Sequence, residues 1–185
     1  MKNSWLILLL SLSCISHTWA VNIPDNYRIQ RYRAPTPQHV EGAITVNTAE
    51  VRQLINKGKP VLIDVLAIPY RPEMLDFGGE WLVSTPRYNL PNSVWLPNVG
   101  YGEISVQIKQ YFTENLHRLT QGNKDYPIVF YCIADCWMSW NACKRAARLG
   151  YTQIYWYREG TDGWTDDDYK TVLSTPIPLA VSEDK

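Results

Sequence analysis

Short apolar runs alternate along the chain with segments whose apolar residues recur at every third or fourth position. The runs at 61–66 and 128–131 are almost continuously apolar, as in strands that are covered on both faces of a parallel sheet. The periodic segments predict helices, the first with Thr48 as its N-cap and Gly58 at its end. The predicted strands are 45–47, 61–66, 94–96, 128–131 and 153–157, and the predicted helices are 49–56, 105–119 and 137–149. This alternation predicts an α/β fold, an open parallel sheet flanked by helices on both faces.

The connection 67–93 interrupts this alternation. It contains several prolines, a Gly-Gly pair and no clear period. Long irregular connections inside compact domains are often functional rims. We therefore expect this segment to lie near the site of any activity.

The first twenty residues have the layout of a secretory signal peptide. An apolar run at 5–12 follows a positive start, and 18–20 is a small-x-small cleavage site. The run is shorter than the roughly 20 residues that a membrane-spanning helix needs, and no later segment is that long. We therefore expect cleavage after Ala20 and export to the periplasm. A lipoprotein anchored at Cys14 is the weaker alternative, because Ser11 stands where such signals usually carry leucine.

Composition and charge narrow the classes of function. The 18 basic and 18 acidic residues give a formal net charge of zero. The sequence therefore shows no excess of positive charge that would attract nucleic acid or an anionic membrane. After the signal peptide we expect an extended lead-in at 21–41, a single domain at 42–168 and a C-terminal tail at 169–185. No metal-ligand spacing and no haem-attachment motif is present in the sequence. Asp64, at the end of a buried strand, is expected to accept hydrogen bonds from the next loop.

Two cysteines form the candidate site. Cys132 directly follows the strand 128–131, and Cys136 opens the next helix, with Ile-Ala-Asp between them. Ligands bind beyond the carboxyl ends of parallel strands, and a helix N-terminus lowers a thiol's pKa. We therefore predict a redox-active, catalytic pair with Cys132 as the attacking thiol, opposed by the charge of Asp135. We also expect a Cys132–Cys136 disulfide in the oxidised protein and a free thiol at Cys143, which helical geometry keeps away from Cys136.

Several stretches of the sequence resemble a known family. The segment 63–66 reads Ile-Asp-Val-Leu, 159–164 reads Glu-Gly-Thr-Asp-Gly-Trp, and a strand, cysteine loop and helix lie between them, as in rhodaneses. The segments 95–102, Trp-Leu-Pro-Asn-Val-Gly-Tyr-Gly, and 130–142, Phe-Tyr-Cys-Ile-Ala-Asp-Cys-Trp-Met-Ser-Trp-Asn-Ala, are more specific. They resemble the rhodanese-like family that is associated with pyrroloquinoline-quinone (PQQ)-dependent alcohol catabolism and named for its Cys-x-x-(x)-Cys-Trp motif.

The resemblance implies a rhodanese-like fold and a set of roles. It implies an accessory protein of exported PQQ-dependent alcohol oxidation, with a PQQ-dependent dehydrogenase or its transport and electron-transfer proteins as partners. It also implies binding of a redox cofactor such as a quinone, with Trp137, Asp135 and Trp140 as candidate contacts beside the cysteines. The sequence leaves the identity of the cofactor open.

Departures from active rhodaneses exclude some activities. Phosphatases and arsenate reductases of this fold need an arginine just before the helix to hold the oxyanion, and Met138 stands there. Leu66 stands where rhodaneses carry an arginine. The first alternative to a redox accessory protein is therefore a non-catalytic binding module with a structural disulfide. The second is a thiosulfate sulfurtransferase.

Overall fold

The computed structural model describes residues 21–72 and 79–179. The predicted signal peptide and the last part of the predicted tail lie outside these residues. Within the described ranges, no helix is long and apolar enough to cross a membrane.

A parallel sheet forms the centre of the described fold. Its five strands follow the order β1-β8-β7-β2-β6, and every neighbouring pair is parallel. The strands are β1 Ile44–Val46, β2 Val61–Asp64, β6 Ser93–Trp95, β7 Ile128–Tyr131 and β8 Ile154–Tyr157. All five correspond to strands that the sequence predicted, so the predicted α/β fold is confirmed.

Helices cover both faces of this sheet. They are α1 Thr48–Gly58, α2 Val106–Thr120, α3 Trp137–Arg148 and α4 Gly160–Asp166. Helices α2 and α3 pack in one apolar core with Ile63, Phe130 and Trp156, whereas α1 and α4 pack in a second core with Val129 and Tyr131. Alternate residues of β7 therefore face opposite cores, which explains why that strand is apolar throughout.

The start of α1 differs from the prediction. Thr48 is the first helical residue and Asn47 is the N-cap. The Asn47 side chain accepts from the Glu50 N–H, and the Glu50 side chain accepts from the Asn47 N–H, which makes a capping box. Thr48 instead turns its hydroxyl toward Tyr157 in the second core, at 2.9 Å.

Two antiparallel ribbons and one helix were not predicted from the sequence. Strands β3 Tyr70–Arg71 and β4 Glu80–Trp81 pair with each other, and β5 Arg87–Asn89 pairs with β9 Val172–Ser174. These four strands are two or three residues long, which is too short for an alternating pattern to be recognised in the sequence. Strand β9 lies in the predicted tail, so residues 172–174 join the connection 67–93 in one ribbon.

Candidate active site

The two candidate cysteines lie where a strand ends and a helix begins. Cys132 follows β7 directly, and Cys136 is the N-cap residue of α3. We call residues 132–136 the cysteine loop. Both side chains are buried, 0% and 1% exposed, and their Sγ atoms are 2.6 Å apart. The loop is closed by Asp135, whose φ of 52° lies in the left-handed region.

The pair is a dithiol in this structure. Cys132, Cys136 and Cys143 are all free, so the predicted disulfide is absent from the described residues. The Cys132 thiol donates a hydrogen bond to the Cys136 sulfur. Cys143 is buried in α3 and free, as the sequence predicted.

The surroundings shift the pKa values of the two thiols in opposite directions. The hydrogen bond from Cys132 lowers the pKa of Cys136, and the Met138 N–H and the charge of Arg33 lower it further against the effect of burial. Burial raises the pKa of Cys132 well above its ordinary value, and its hydrogen bond to Cys136 adds to this. Cys136 is therefore the more acidic thiol of the pair, and Cys132 is the thiol that holds its proton to higher pH.

This order is the reverse of the one that the sequence predicted. The prediction rested on the position of Cys132 at a strand end, where loop N–H groups were expected to converge on its sulfur. In the structure the Cys132 thiol donates to the Cys136 sulfur, whereas the Ile133 N–H lowers the pKa of both thiols and so does not favour Cys132. Asp135, which was expected to oppose thiolate formation, is exposed, and its Oδ1 accepts a 3.3 Å bond from the Thr36 N–H. Water screens an exposed carboxylate, which weakens its effect on the buried sulfurs.

A buried ion pair supports the start of the cysteine loop. Asp64 at the end of β2 is fully buried, and its Oδ2 accepts a 2.6 Å bond from Arg87 Nε in β5. Its Oδ1 accepts from the Leu66 N–H, which confirms the predicted role of Asp64 as an acceptor for the next loop. The same guanidinium donates to the Cys132 carbonyl at 3.2 Å. Arg87 was missed by the sequence analysis, because nothing in its neighbourhood marks it as the partner of Asp64.

The first residues of α4 fix the cysteine loop from the other side. The Thr161 N–H donates to the Cys132 carbonyl at 3.1 Å, and Gly160 forms an isolated antiparallel bridge with Ile133. Gly160 has a φ of +58°, and a Cβ there would stand 2.5 Å from the Cys132 carbonyl oxygen. Only glycine permits this close approach of two backbones.

Replacing Gly160 with alanine is expected to destabilise the protein and displace the cysteine loop. The left-handed conformation and the clash with backbone atoms together cost roughly 2–4 kcal/mol. Gly58→Ala is the matched control, because no atom lies within 4 Å of a Cβ at that position. It should be neutral or stabilising by up to about 1 kcal/mol. Urea denaturation of both variants measures the difference, and equal midpoints would contradict this role of Gly160.

A segment of the lead-in covers the cysteine loop. Residues 32–36, which we call the strap, lie antiparallel to it, and Arg33 forms a bridge with Cys136. The Trp137 N–H donates to the Tyr32 carbonyl at 2.9 Å, and the Ala34 N–H donates to the Asp135 carbonyl at 3.2 Å. The Arg33 side chain is exposed, and its Nη1 donates to the Ala134 carbonyl of the cysteine loop. The strap therefore lies between Cys136 and solvent.

The aromatic residues beside the loop belong to the core. Trp137 and Trp140 are each 1% exposed and meet edge to face, with their ring centroids 5.3 Å apart. Arg28 lies over the Trp137 ring at 4.9 Å, and Trp140 Nε1 donates to the His39 carbonyl. Trp137 also lines a surface cavity together with Arg28 and Arg31, and its Nε1 has no hydrogen-bond partner among the described residues. The cofactor contacts that the resemblance implied stay a prediction.

The chemistry that remains is that of sulfur. Among the described residues, no group of three or more His, Cys, Asp or Glu side chains could hold a metal ion. The cysteine loop brings together one thiol of lowered pKa and one of raised pKa at hydrogen-bonding distance. Such a pair can form a mixed disulfide at one sulfur and resolve it with the other.

Comparison with known proteins places the chain in a family. The profile of the rhodanese-like domain matches residues 47–167. No curated protein matches the chain. Its fold is similar to the solution structure of the 30 kDa polysulfide-sulfur transferase homodimer from Wolinella succinogenes, with 16% identity and a TM-score of 0.43 over 71% of this chain and 79% of that chain. It is also similar to EanB in complex with hercynine, with 14% identity and a TM-score of 0.47 over 73% of this chain and 32% of that chain.

The family match covers the elements that build the site. It runs from α1 to α4 and includes β2 with Asp64, the cysteine loop and Gly160. The match extends over more than half of the chain. The chain therefore belongs to the rhodanese-like domain family.

Proposed function

We propose that this protein is an exported, periplasmic thiol–disulfide redox protein of the rhodanese-like fold. Cys136 is its attacking thiolate and Cys132 its resolving thiol. The observation that carries the proposal is the 2.6 Å contact in which Cys132 donates to a sulfur whose pKa is lowered at the start of α3. A stabilised thiolate attacks disulfides at neutral pH, and a second thiol within reach releases the product.

We further propose that it serves PQQ-dependent alcohol oxidation. This part rests on the resemblance of 95–102 and 130–142 to the family with the Cys-x-x-(x)-Cys-Trp motif. Its role there would be to set the thiol state of a partner, such as a PQQ-dependent dehydrogenase or an associated transport or electron-transfer protein. The proposal needs no quinone at the cysteine loop, since the indoles beside it are packed in the core.

A second candidate function is a binding module whose cysteine pair is only structural. The burial of both sulfurs, 0% and 1% exposed, favours this alternative, because a reactive thiol must meet its substrate. The two candidates differ in how strongly the protein holds its cysteines oxidised. The reduction potential of the pair distinguishes them.

We expect the Cys132–Cys136 couple to have a reduction potential above about −300 mV, because a stabilised thiolate favours the reduced form. The measurement is equilibration in glutathione buffers followed by mass spectrometry of the trapped thiols. Cys143→Ala is the matched control and should leave the potential unchanged, since Cys143 is buried in α3 and outside the pair. A potential below that value would contradict the redox proposal and support the structural module.

A further inference from the structure

The strap is paired with the cysteine loop as one β-strand pairs with another. The Tyr32 carbonyl accepts from the Trp137 N–H, and the Ala34 N–H donates to the Asp135 carbonyl. These two bonds flank Arg33 and Cys136, which are direct antiparallel partners. The cysteine loop therefore offers one backbone donor and one backbone acceptor in the register of an edge strand.

Side-chain hydrogen bonds attach the lead-in before the strap, at its end and beyond it. Before it, the Asn141 amide accepts from the Arg28 N–H at 2.9 Å and donates to the Arg28 carbonyl at 2.8 Å. At its end, Arg158 Nε donates to Thr36 Oγ1 at 2.9 Å, and beyond it Trp140 Nε1 donates to the His39 carbonyl. Residues 32–35 lie between these attachments and can lift from the loop while the attachments stay in place.

Within that span, hydrogen bonds and one aromatic contact hold the strap. Besides its two backbone bonds, Arg33 Nη1 donates to the Ala134 carbonyl, and the Tyr32 hydroxyl accepts from the Gly102 N–H. The Thr36 N–H donates to Asp135 Oδ1, and the Tyr32 ring meets Tyr101 edge to face. Segments held by a small number of hydrogen bonds near solvent open locally at low cost. Cys136 becomes reachable when the strap lifts.

Lifting the strap leaves the Trp137 N–H and the Asp135 carbonyl without their partners. A small thiol or disulfide cannot replace both bonds, whereas an extended polypeptide can, as in β-strand addition. We propose that the strap occupies the docking place of a partner polypeptide, which binds the cysteine loop as an extended strand and brings a disulfide to Cys136. This inference rests on the proposed redox function and names the substrate class, an extended segment of protein.

The position of Arg33 shows where the partner's reactive sulfur would lie. Its bridge with Cys136 is flanked by the two hydrogen bonds, so the two residues form a non-hydrogen-bonded antiparallel pair. In such pairs the side chains approach most closely, with Cα atoms about 4.5 Å apart, which lies within the range that a disulfide spans. A partner cysteine in this register is next to the Cys136 sulfur.

The exchange balances in atoms and electrons. The Cys136 thiolate attacks one sulfur of the partner disulfide, an S–S bond forms to Cys136, and the second partner sulfur leaves as a thiolate that takes a proton from water. Cys132 then loses its proton to water and attacks the Cys136 sulfur, and the first partner sulfur leaves in the same way. The pair is oxidised to a disulfide, and the partner disulfide is reduced to two thiols.

The experiment follows exchange between the reduced protein and a synthetic peptide. The peptide has the sequence of residues 30–37 with cysteine in place of Arg33, activated as a mixed disulfide with thionitrobenzoate, whose release is followed by absorbance. A second peptide is N-methylated at the position of Ala34, which removes the N–H that bonds to Asp135. A third is N-methylated at the position of Arg33, whose N–H points away from the loop in this register. The symmetric aromatic disulfide of thionitrobenzoate serves as a reagent without a peptide backbone.

The protein is compared with Ala34→Pro, which removes the N–H that holds the strap to the loop. Tyr32→Phe is a second strap-weakening variant, for use if Ala34→Pro does not fold, since it removes the hydroxyl that accepts from the Gly102 N–H. Arg31→Ala is the matched control, since Arg31 is exposed and forms no contact with the loop among the described residues. We expect faster peptide exchange in Ala34→Pro than in the parent, and an unchanged rate in Arg31→Ala.

In Ala34→Pro the peptide methylated at position 34 should react about fivefold slower than the unmethylated peptide, the effect of one backbone hydrogen bond. Methylation at position 33 should leave the rate unchanged. Equal rates for all three peptides, or equal rates in parent and Ala34→Pro, would overturn the docking proposal and leave the redox proposal standing. If neither the peptides nor the aromatic disulfide react with the opened variant, the redox function itself fails.

Discussion

Replacing Cys132 with alanine is expected to raise the pKa of the Cys136 thiol. The largest cause of its lowered pKa is the hydrogen bond from the Cys132 thiol, and a bond to a charged group contributes roughly 1.5–3 kcal/mol. At a pH below the pKa of Cys136 in both proteins, the alkylation rate at Cys136 should therefore fall about tenfold or more. Alkylation rate against pH, with the modified site identified by mass spectrometry, measures the change.

The conservative variant separates a hydrogen-bonding role from a packing role. Cys132→Ser keeps a donor beside Cys136 and should restore part of the lowered pKa, whereas both variants remove the resolving thiol. Cys143→Ala is the control for the loss of a buried thiol elsewhere in α3. Equal pKa values of Cys136 in parent and Cys132→Ala would contradict the assignment. A lower pKa at Cys132 than at Cys136 in the parent would restore the order that the sequence predicted.

The central sheet could be predicted from the sequence because strands that are buried on both faces consist almost entirely of apolar residues. The runs 61–66 and 128–131 are almost continuously apolar, and they contain β2 and β7, which have a strand on either side in the sheet. The prediction of 128–131 matches β7 residue for residue. The short ribbons could not be predicted in this way, since strands of two or three residues cannot show a period and their pairing partners are distant in the chain.

The cysteine pair could be located from the sequence, but its surroundings could not. Strand–loop–helix spacing placed Cys132 and Cys136 together, as the structure does. The lowered pKa of Cys136 depends in part on Arg33, which is distant in the sequence and reaches Cys136 only because the strap folds back over the loop. The lead-in has no period to predict a strand, and its backbone pairing with the loop is set by tertiary contacts. The site therefore had to be seen folded before the attacking thiol could be assigned.

Breaking the Asp64–Arg87 pair is expected to destabilise the protein more than any other single substitution proposed here. In Arg87→Met the Asp64 carboxylate stays fully buried without its cation, a loss of about 3–5 kcal/mol for a buried pair. The variant also removes the bond from Arg87 to the Cys132 carbonyl, so the cysteine loop loses a support. Urea denaturation measures the free energy of unfolding. Arg71→Met is the matched control, because the Arg71–Glu80 pair is about half exposed and should contribute about 0–1 kcal/mol.

The pH dependence of this loss identifies the buried carboxylate as its cause. Burial raises the pKa of Asp64, and Arg87 opposes that rise. A folded-state pKa above the unfolded value means that the folded protein holds a proton that the unfolded chain has released. The stability contributed by this group is therefore complete below the unfolded pKa of Asp64 and declines as pH rises through the folded value. Without Arg87 the folded pKa rises further, so the loss in Arg87→Met should be larger at pH 7 than near pH 4. Equal losses at both pH values would show that Arg87 acts through packing and not through its charge.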